Sequence, residues 1–218
     1  MPTLHWVGKD KVVNHHHDVP FRVLDKVSTF AAPAGLPANT TDNRIIHGDN
    51  LEALKSLLPE FEGRVKCIYI DPPYNTGNDF VYEDDFAETS ADYLQRSGQM
   101  SDTGDRLMAN TEANGRFHSD WLSMMYPRLK LARNLLAEDG LIFMSIDSGE
   151  AASLRKLGDE VFGESNFVDA LVWQKKVSPS NDSQFFSNDH ETILVYARRK
   201  NPGVVERLER NDQHNKYY

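Results

Sequence analysis

Two consecutive prolines at the end of an apolar stretch constrain this chain more than any other feature. The stretch is Ile68-Tyr69-Ile70-Asp71-Pro72-Pro73-Tyr74-Asn75, and it predicts a strand that runs into a rigid polar turn. Each proline fixes its own φ and removes a backbone donor, so the strand must stop and its last carbonyls are free to accept hydrogen bonds. In an open α/β sheet, ligands bind just beyond the carboxyl ends of the strands.

The residue types in this turn suit a planar ligand that carries an exocyclic amine. The carboxylate of Asp71 and a carbonyl freed by the prolines can each accept one N–H, while Tyr74 lies flat against the ring. Stacking of a base on such an aromatic side chain contributes roughly 1–3 kcal/mol. The tetrapeptide Asp71–Tyr74 is equally consistent with a proline turn that ends a buried strand, with Asp71 as a turn residue.

Strands and helices alternate along the rest of the chain, which predicts an α/β fold. The near-continuous apolar segments Val65–Ile70 and Leu141–Ile146 are typical of buried parallel strands, and we expect Cys67 to be buried in the first of them. Segments 167–173 and 192–197 predict an antiparallel hairpin at the edge of a largely parallel sheet.

Between these strands, apolar residues recur at helical spacing and predict helices. One helix is predicted to be capped by Ser119, to be kinked or restarted at Pro127 and to end at Gly140. The next is capped by Asp147 or Ser148, its buried positions are Leu154, Leu157 and Val161, and Gly163 closes it. Asp147 also follows a strand, so the alternative interpretation is that it lines a pocket beside Asp71.

A short strand is predicted at residues 44–47, followed by a helix. Asp49 and Glu52 form a capping-box-like start for this helix, and Leu51, Leu54 and Leu58 form its buried stripe. Asp49 has two interpretations. It is either the cap of the helix, or an acid that hydrogen-bonds the adenosine part of a nucleotide-like cofactor from a strand end.

Composition and charge restrict the class of protein. With 218 residues, of which 39% are hydrophobic and 26% are charged, the chain has an ordinary globular composition. No apolar run approaches the roughly 20 residues that span a bilayer, so we expect a cytoplasmic protein without a membrane partner. The net charge of -9 counts weakly against a surface that broadly attracts nucleic acid.

Local charge clusters have two interpretations each. The basic groups Arg128/Lys130/Arg133, Lys175/Lys176 and Arg198/Arg199/Lys200 are either phosphate contacts or solvated faces. The run His15–His17 predicts no metal site, because no second cluster at metal-ligand spacing accompanies it.

Three motifs resemble those of known DNA-modifying proteins. Asp71-Pro72-Pro73-Tyr74 resembles the catalytic motif of amino-group DNA methyltransferases, in which Asp at the first position favours adenine-N6 over cytosine-N4. The segment from Gly115 to Leu129, together with Leu4–Lys9, resembles the methylating (Mod) subunit of type III restriction-modification systems.

This resemblance implies a partial Rossmann-like methyltransferase sheet, mostly parallel with an antiparallel edge hairpin and with helices on both faces. It implies methyl transfer from S-adenosylmethionine to a flipped adenine, without a metal. The catalytic residues would be Asp71, Pro72, Pro73 and Tyr74, and the cofactor-binding residues Asp49, Asn50 and Asp71. The implied partners are double-stranded DNA, a second copy of the full-length protein as a homodimer, and a restriction (Res) subunit.

The organisation expected from this resemblance has three parts. Residues 1–43 form an N-terminal arm and linker, residues 44–200 the catalytic half of the methyltransferase domain, and residues 201–218 the start of a DNA-recognition region. The aromatics Phe80, Tyr82 and Phe86 either close over the flipped base or pack in a hairpin.

The donor site is expected to be incomplete. The chain contains no Gly-x-Gly sequence, although the methionine end of S-adenosylmethionine needs close approach of a glycine-rich turn. The chain is therefore expected to be an N-terminal fragment that holds the base but not most of the methyl donor. The alternatives are a non-catalytic DNA-binding or assembly fragment, and methylation of cytosine-N4 or of a protein amide.

Overall fold

The computed structural model describes residues 3–29, 43–75, 112–176 and 189–205. The elements are α1 (Lys9–Val12), α2 (His15–Asp18), α3 (Asn50–Phe61), β1 (Val65–Ile70), α4 (Glu112–Leu135), β2 (Leu136–Ile146), α5 (Ala151–Gly158), β3 (Phe167–Gln174) and β4 (His190–Ala197). A π-helical turn (Asp159–Gly163) and a 3-10 turn (Glu164–Asn166) connect α5 to β3. The chain forms two compact units: a sheet unit with the four strands and α5, and a helical unit with α1 to α4.

The sheet unit is built on a mixed four-stranded sheet in the order β1-β2-β4-β3. β1 and β2 are parallel, with Ile70 opposite Met144. β4 pairs antiparallel with both β2 and β3. The α/β class and the antiparallel edge hairpin are therefore confirmed. The described sheet is mixed rather than mostly parallel, because the hairpin joins the parallel pair through β4.

Alternate residues of β2 form the centre of the core in this unit. Ile142, Met144 and Ile146 are fully buried, as the period of two in a strand requires. Leu154 and Leu157 of α5 are also fully buried, which confirms their predicted place on the helix face. Each such side chain contributes roughly 1.5–3 kcal/mol by burial.

β1 lies at the edge of the described sheet, which contradicts the prediction that it is buried on both sides. Its only pairing among the described strands is with β2. Cys67 is exposed and Tyr69 is 60% exposed. The expectation of a buried Cys67 is therefore wrong, because apolar sequence fixes the strand but not the number of neighbours that cover it.

The boundaries around α4 also differ from the prediction. α4 begins at Glu112 and ends at Leu135, so Ser119 lies inside the helix rather than at its cap, and Pro127 does not mark a restart. Gly140 lies within β2 instead of ending the helix. A Cβ at Gly140 would lie 2.7 Å from the Val65 carbonyl oxygen, so glycine is required there by close approach of two strands.

The helical unit packs α3 against α4. Val19, Leu51 and Leu131 form a buried cluster, with Leu54 and Leu58 packed against it, so the predicted stripe of α3 is confirmed. The predicted strand at residues 44–47 is wrong: this segment forms no strand, and Ile45 is 90% exposed. Burial and pairing, which stabilise a strand, are both missing there.

The N-terminal residues pack onto α3 and α4, which the sequence did not predict. Trp6 Nε1 donates to Ser123 Oγ at 2.9 Å. Lys55 Nζ donates to the carbonyl oxygens of His16 at 2.8 Å and His17 at 3.2 Å. These contacts lie within the helical unit, which includes residues 4–19, and the expectation of an N-terminal arm and linker at residues 1–43 stays a prediction. The boundaries at 43 and 200 stay predictions.

His16 is a buried histidine of this unit, and its pKa is lowered. It is 6% exposed, and its Nδ1 is buried without a hydrogen-bond partner among the described residues. Burial, and then electrostatic repulsion from His17, Lys130 and Lys55, lower the pKa of His16 to about 4, although Asp18 opposes the shift. The side chain is therefore neutral in the fold near pH 7.

The described residues include neither a candidate membrane-spanning helix nor a cluster of metal-ligating side chains. No helix among them has the length and apolarity needed to cross a bilayer. Within the same ranges, no three His, Cys, Asp or Glu side chains form a group that could hold a metal ion.

Candidate active site

The turn that follows β1 is held to β2 by a serine. Ser145 Oγ donates to Asp71 Oδ1 at 2.8 Å and also lies 3.3 Å from the Ile70 carbonyl oxygen. Ser145 is 4% exposed because it lies in the buried part of β2. The serine thus fixes one carboxylate oxygen of Asp71 at the carboxyl ends of two parallel strands.

Tyr74 is anchored at its hydroxyl group. Its Oη donates to Glu191 Oε2 on β4 at 3.2 Å. Burial, together with hydrogen bonds that involve Asp71 and Glu191, raises the pKa of Tyr74 to about 12, although the nearby Ser145 opposes the shift. The phenol is therefore neutral at physiological pH and remains a hydrogen-bond donor.

Asn75 ends the turn in a conformation that few residues adopt. Its φ is 56°, in the left-handed region that asparagine tolerates better than most non-glycine residues. Its Nδ2 donates to Glu150 Oε1, and Glu150 is 1% exposed at the N-cap position of α5. A buried carboxylate therefore holds the end of the turn against the segment that follows β2.

A pocket of about 310 Å³ opens beside this turn, at the lower end of the roughly 300–1,000 Å³ typical of small-molecule sites. Its walls come from all four strands and the turn. The lining residues are Tyr69, Asp71, Tyr74, Ser145, Trp173, Glu191 and Ile193. Asp71 and Tyr74, which the sequence singled out, thus line one pocket, and Pro72 and Pro73 lie between them in the turn, with Pro72 buried.

The chemistry of the pocket favours a flat ligand with N–H donors. Asp71 supplies carboxylate oxygens that only accept hydrogen bonds when ionised. Tyr69, Tyr74 and Trp173 supply aromatic surface, and Trp173 is 61% exposed. A planar ring can stack on such surface while its amine faces the acid.

The two other predicted cofactor residues, Asp49 and Asn50, belong to the helical unit. Asp49 Oδ1 accepts the backbone N–H groups of Leu51 and Glu52, both at 2.9 Å, which confirms Asp49 as the cap of α3. Asn50 Oδ1 accepts from Arg128 Nε at 2.6 Å. The role of Asp49 and Asn50 in cofactor binding stays a prediction.

Arg128 is buried, so it belongs neither to a solvated face nor to a surface that could contact phosphates. It is 7% exposed, its Nη1 donates to the Met124 carbonyl oxygen at 2.7 Å, and its Nη2 lies 3.9 Å from Asp49 Oδ2. Both interpretations of this arginine from the sequence are therefore wrong. Its guanidinium ties α4 to the start of α3.

The sequence did not predict a place near the pocket or the turn for four residues: Ser145, Glu150, Trp173 and Glu191. The available signal was weak, because a polar residue at the end of an apolar strand is also typical of an ordinary strand end.

Asp147, for which the sequence predicts either a place in the pocket or a helix cap, has neither role among the described residues. Its Oδ1 accepts from the Gly149 backbone N–H at 3.0 Å, while Glu150 occupies the cap position of α5.

Phe80, Tyr82 and Phe86, which were expected to close over a base or to pack in a hairpin, lie outside the described residues. Both interpretations of these aromatics stay predictions.

Comparison with known proteins identifies relatives. A family model described as DNA methylase matches residues 65–218. The EcoPI Mod subunit of a type III restriction-modification enzyme from Escherichia phage P1 is 45% identical over 161 residues, covering 73% of this chain and 25% of the relative. The EcoP15I Mod subunit from Escherichia coli is 44% identical over 163 residues, covering 74% of this chain and 25% of the relative.

These matches confirm the resemblance to type III Mod subunits that the motifs indicated. The chain spans about a quarter of the length of these curated relatives. Among solved structures, the M1.HpyAVI-SAM complex matches with a TM-score of 0.38 and 14% identity, over 70% of this chain and 53% of the other.

Proposed function

This chain belongs to the DNA methylase family, and on that premise we propose that its pocket receives an adenine flipped out of double-stranded DNA for methylation at N6. The observation that carries the proposal is the pocket formed by Asp71 and Tyr74 at the carboxyl ends of β1 and β2. An acid beside an aromatic ring, both fixed by neighbouring strands, provides the two contacts that a planar amine needs.

Asp71 and the Pro72 carbonyl accept the two hydrogens of the exocyclic amine. In a free base the lone pair of this nitrogen is delocalised into the ring. Two acceptors on the amine hydrogens draw the nitrogen toward a tetrahedral geometry and direct its lone pair out of the ring plane. Because Ser145 already occupies one side of the Asp71 carboxylate at 2.8 Å, the carboxylate keeps its orientation during the reaction.

Tyr74 stacks on the flipped base. Extrusion of the base costs a few kcal/mol of unstacking and unpairing, and stacking on an aromatic side chain returns roughly 1–3 kcal/mol of this. Positioning of the amine by fixed acceptors then supplies most of the rate. This chemistry requires neither a metal ion nor a covalent intermediate.

S-adenosylmethionine, when bound, would supply an electrophilic methyl group to the amine nitrogen; its methyl–sulfur bond would break to leave S-adenosylhomocysteine, and the methylated amine would lose one proton to solvent. Within this chain, Asp49 and Asn50 are the residues proposed to contact it, together with Asp71. Asp49 fits in part, since its side chain is 43% exposed although Oδ1 already caps α3. The sequence contains no Gly-x-Gly turn for the methionine end. The residues of this chain therefore fit only part of a binding site for S-adenosylmethionine.

We propose double-stranded DNA, a second copy of the protein and a restriction subunit as partners, and the cytoplasm as the compartment. Adenine is preferred over cytosine because Asp71, rather than serine, heads the motif. Cytosine-N4 is the competing target, and mass analysis of nucleosides from methylated DNA distinguishes the two bases.

The test uses the protein expressed from its complete gene. Asp71→Ala and Tyr74→Ala are each expected to lower the rate of DNA methylation at least about 100-fold, since each removes a contact to the reacting base. Asp147→Ala is the matched control, because Asp147 follows the neighbouring strand, does not line the pocket and, among the described residues, accepts its hydrogen bond from Gly149 in its own turn. Undiminished methylation by either pocket variant would refute the proposal.

A further inference from the structure

Glu191 connects the catalytic turn to the edge hairpin. Its Oε2 accepts from the Tyr74 hydroxyl at 3.2 Å, and its Oε1 lies 3.5 Å from Lys175 Nζ. Each carboxylate oxygen therefore has its own partner, one after β1 and one after β3. The side chains of Glu191 and Lys175 are 21% and 29% exposed, so this pair is less screened by water than an ordinary surface pair.

The contact on the Tyr74 hydroxyl restricts the ring where stacking requires it. A tyrosine side chain turns about two bonds, and its backbone end is already held by Pro73 and by the left-handed Asn75. The hydroxyl oxygen lies on the long axis of the ring, so the hydrogen bond to Glu191 fixes the direction in which the ring points. Because a phenolic O–H prefers the plane of its ring, the position of the acceptor also favours one orientation of that plane. Because the phenol stays neutral at physiological pH, it donates to the carboxylate throughout that range.

Glu191 also lies at the pocket itself. It lines the pocket together with Trp173, and the two residues are direct partners across the β3/β4 pair. The ion pair with Lys175 restrains the other oxygen of the same carboxylate. The hairpin thus determines where the hydroxyl of Tyr74 can lie.

We propose that Glu191 is a positioning residue that fixes the position of the Tyr74 ring in the pocket and thereby sets how well the pocket holds a flipped base. This inference rests on the proposed function, since it assigns to Glu191 a role in the same pocket. Glu191 acts through Tyr74 and does not contact the reacting amine.

The test is a double-mutant cycle in the protein expressed from its complete gene, with unmethylated DNA and labelled S-adenosylmethionine. Glu191→Ala is expected to lower kcat/KM for DNA about tenfold, the effect of losing one hydrogen bond to a charged group. Glu191→Gln keeps an acceptor for the hydroxyl and is expected to retain activity within about threefold of the unmodified protein.

Tyr74→Phe removes the same hydrogen bond from the other side. The combination of Tyr74→Phe and Glu191→Ala is expected to be at least as active as the less active of the two single variants, because the effects of coupled residues are non-additive. KM for S-adenosylmethionine should stay unchanged. Glu138→Ala is the matched control, since Glu138 pairs with Arg198 at 3.9 Å on the same sheet but does not line the pocket.

Three outcomes overturn the inference while leaving the proposed function standing, provided that Tyr74→Ala is inactive. They are full activity of Glu191→Ala, full activity of Tyr74→Phe, and losses that multiply in the double variant. Tyr74→Phe carries the test even if thermal melting shows that Glu191→Ala does not fold. An active Tyr74→Ala variant would instead refute the proposed function itself.

Discussion

Replacing Asp49 by alanine separates the two roles of this residue. Asp49 Oδ1 accepts two backbone N–H groups at the start of α3, and loss of such a cap costs about 0.5–2 kcal/mol. Oδ2 lies 3.9 Å from Nη2 of the buried Arg128, too far for a hydrogen bond, and because the carboxylate itself is partly exposed this ion pair contributes about 0–1 kcal/mol. Because the Asp49 side chain is 43% exposed, the cap dominates, and the expected loss is about 1–2 kcal/mol.

Urea denaturation followed by circular dichroism measures this loss as a change in the free energy of unfolding. Asp49→Asn keeps a side-chain oxygen that can cap the helix, so its stability should stay within about 0.5 kcal/mol of the unmodified chain. Glu60→Ala is the control in the same helix. It removes an exposed ion pair with Arg44, 2.7 Å between Nη1 and Oε2, and should cost less than about 1 kcal/mol.

Titration with S-adenosylmethionine in the protein expressed from its complete gene examines the second role. Suppose that the negatively charged Asp49 carboxylate accepts hydrogen bonds from hydroxyl groups of S-adenosylmethionine. Asp49→Asn should then bind S-adenosylmethionine more weakly, although the helix cap is preserved. Unchanged affinity in Asp49→Asn would leave the residue as a cap alone. Unchanged stability in Asp49→Ala would refute the energetic assignment of the cap.

Two further predictions concern stability. The pKa of His16 is about 4 in the fold against 6.5 for the free side chain, so its contribution is complete above pH 6.5 and is lost as pH falls toward 4. Urea denaturation should show a loss of up to about 2 kcal/mol from pH 7 to pH 5, which His16→Gln abolishes; an equally steep loss in that variant would contradict the assignment. Gly158→Ala should destabilise by about 1–3 kcal/mol, because its Cβ would lie 2.6 Å from the buried Tyr196 ring. Thermal melting tests this against Gly203→Ala, whose Cβ has no contact below 3.6 Å, and equal melting temperatures would contradict it.

Local sequence rules were sufficient where a residue's role depends on its neighbours along the chain. The bounds of β1 agree with the predicted Val65–Ile70, since two prolines end a strand whatever surrounds it. The burial of Leu154 and Leu157 followed from helical spacing. The capping interaction of Asp49 followed from the position of a short polar side chain at the start of a helix.

The same rules failed where a residue's role depends on a distant partner. Gly140 has a sequence context typical of a helix end, but its place in β2 is set by close approach of Val65. Cys67 has the context of a core residue, but the order of strands leaves β1 at an edge of the described sheet.

The sequence by itself determined the strand, the proline turn and the acid and aromatic that the turn carries. Only the tertiary structure decided what holds that turn. Ser145, Glu150 and Glu191 lie 74, 75 and 117 residues away from their partners Asp71, Asn75 and Tyr74. The physical reason is that a hydrogen bond depends on distances of about 3 Å, and such distances between remote residues are set by strand order and register rather than by local sequence.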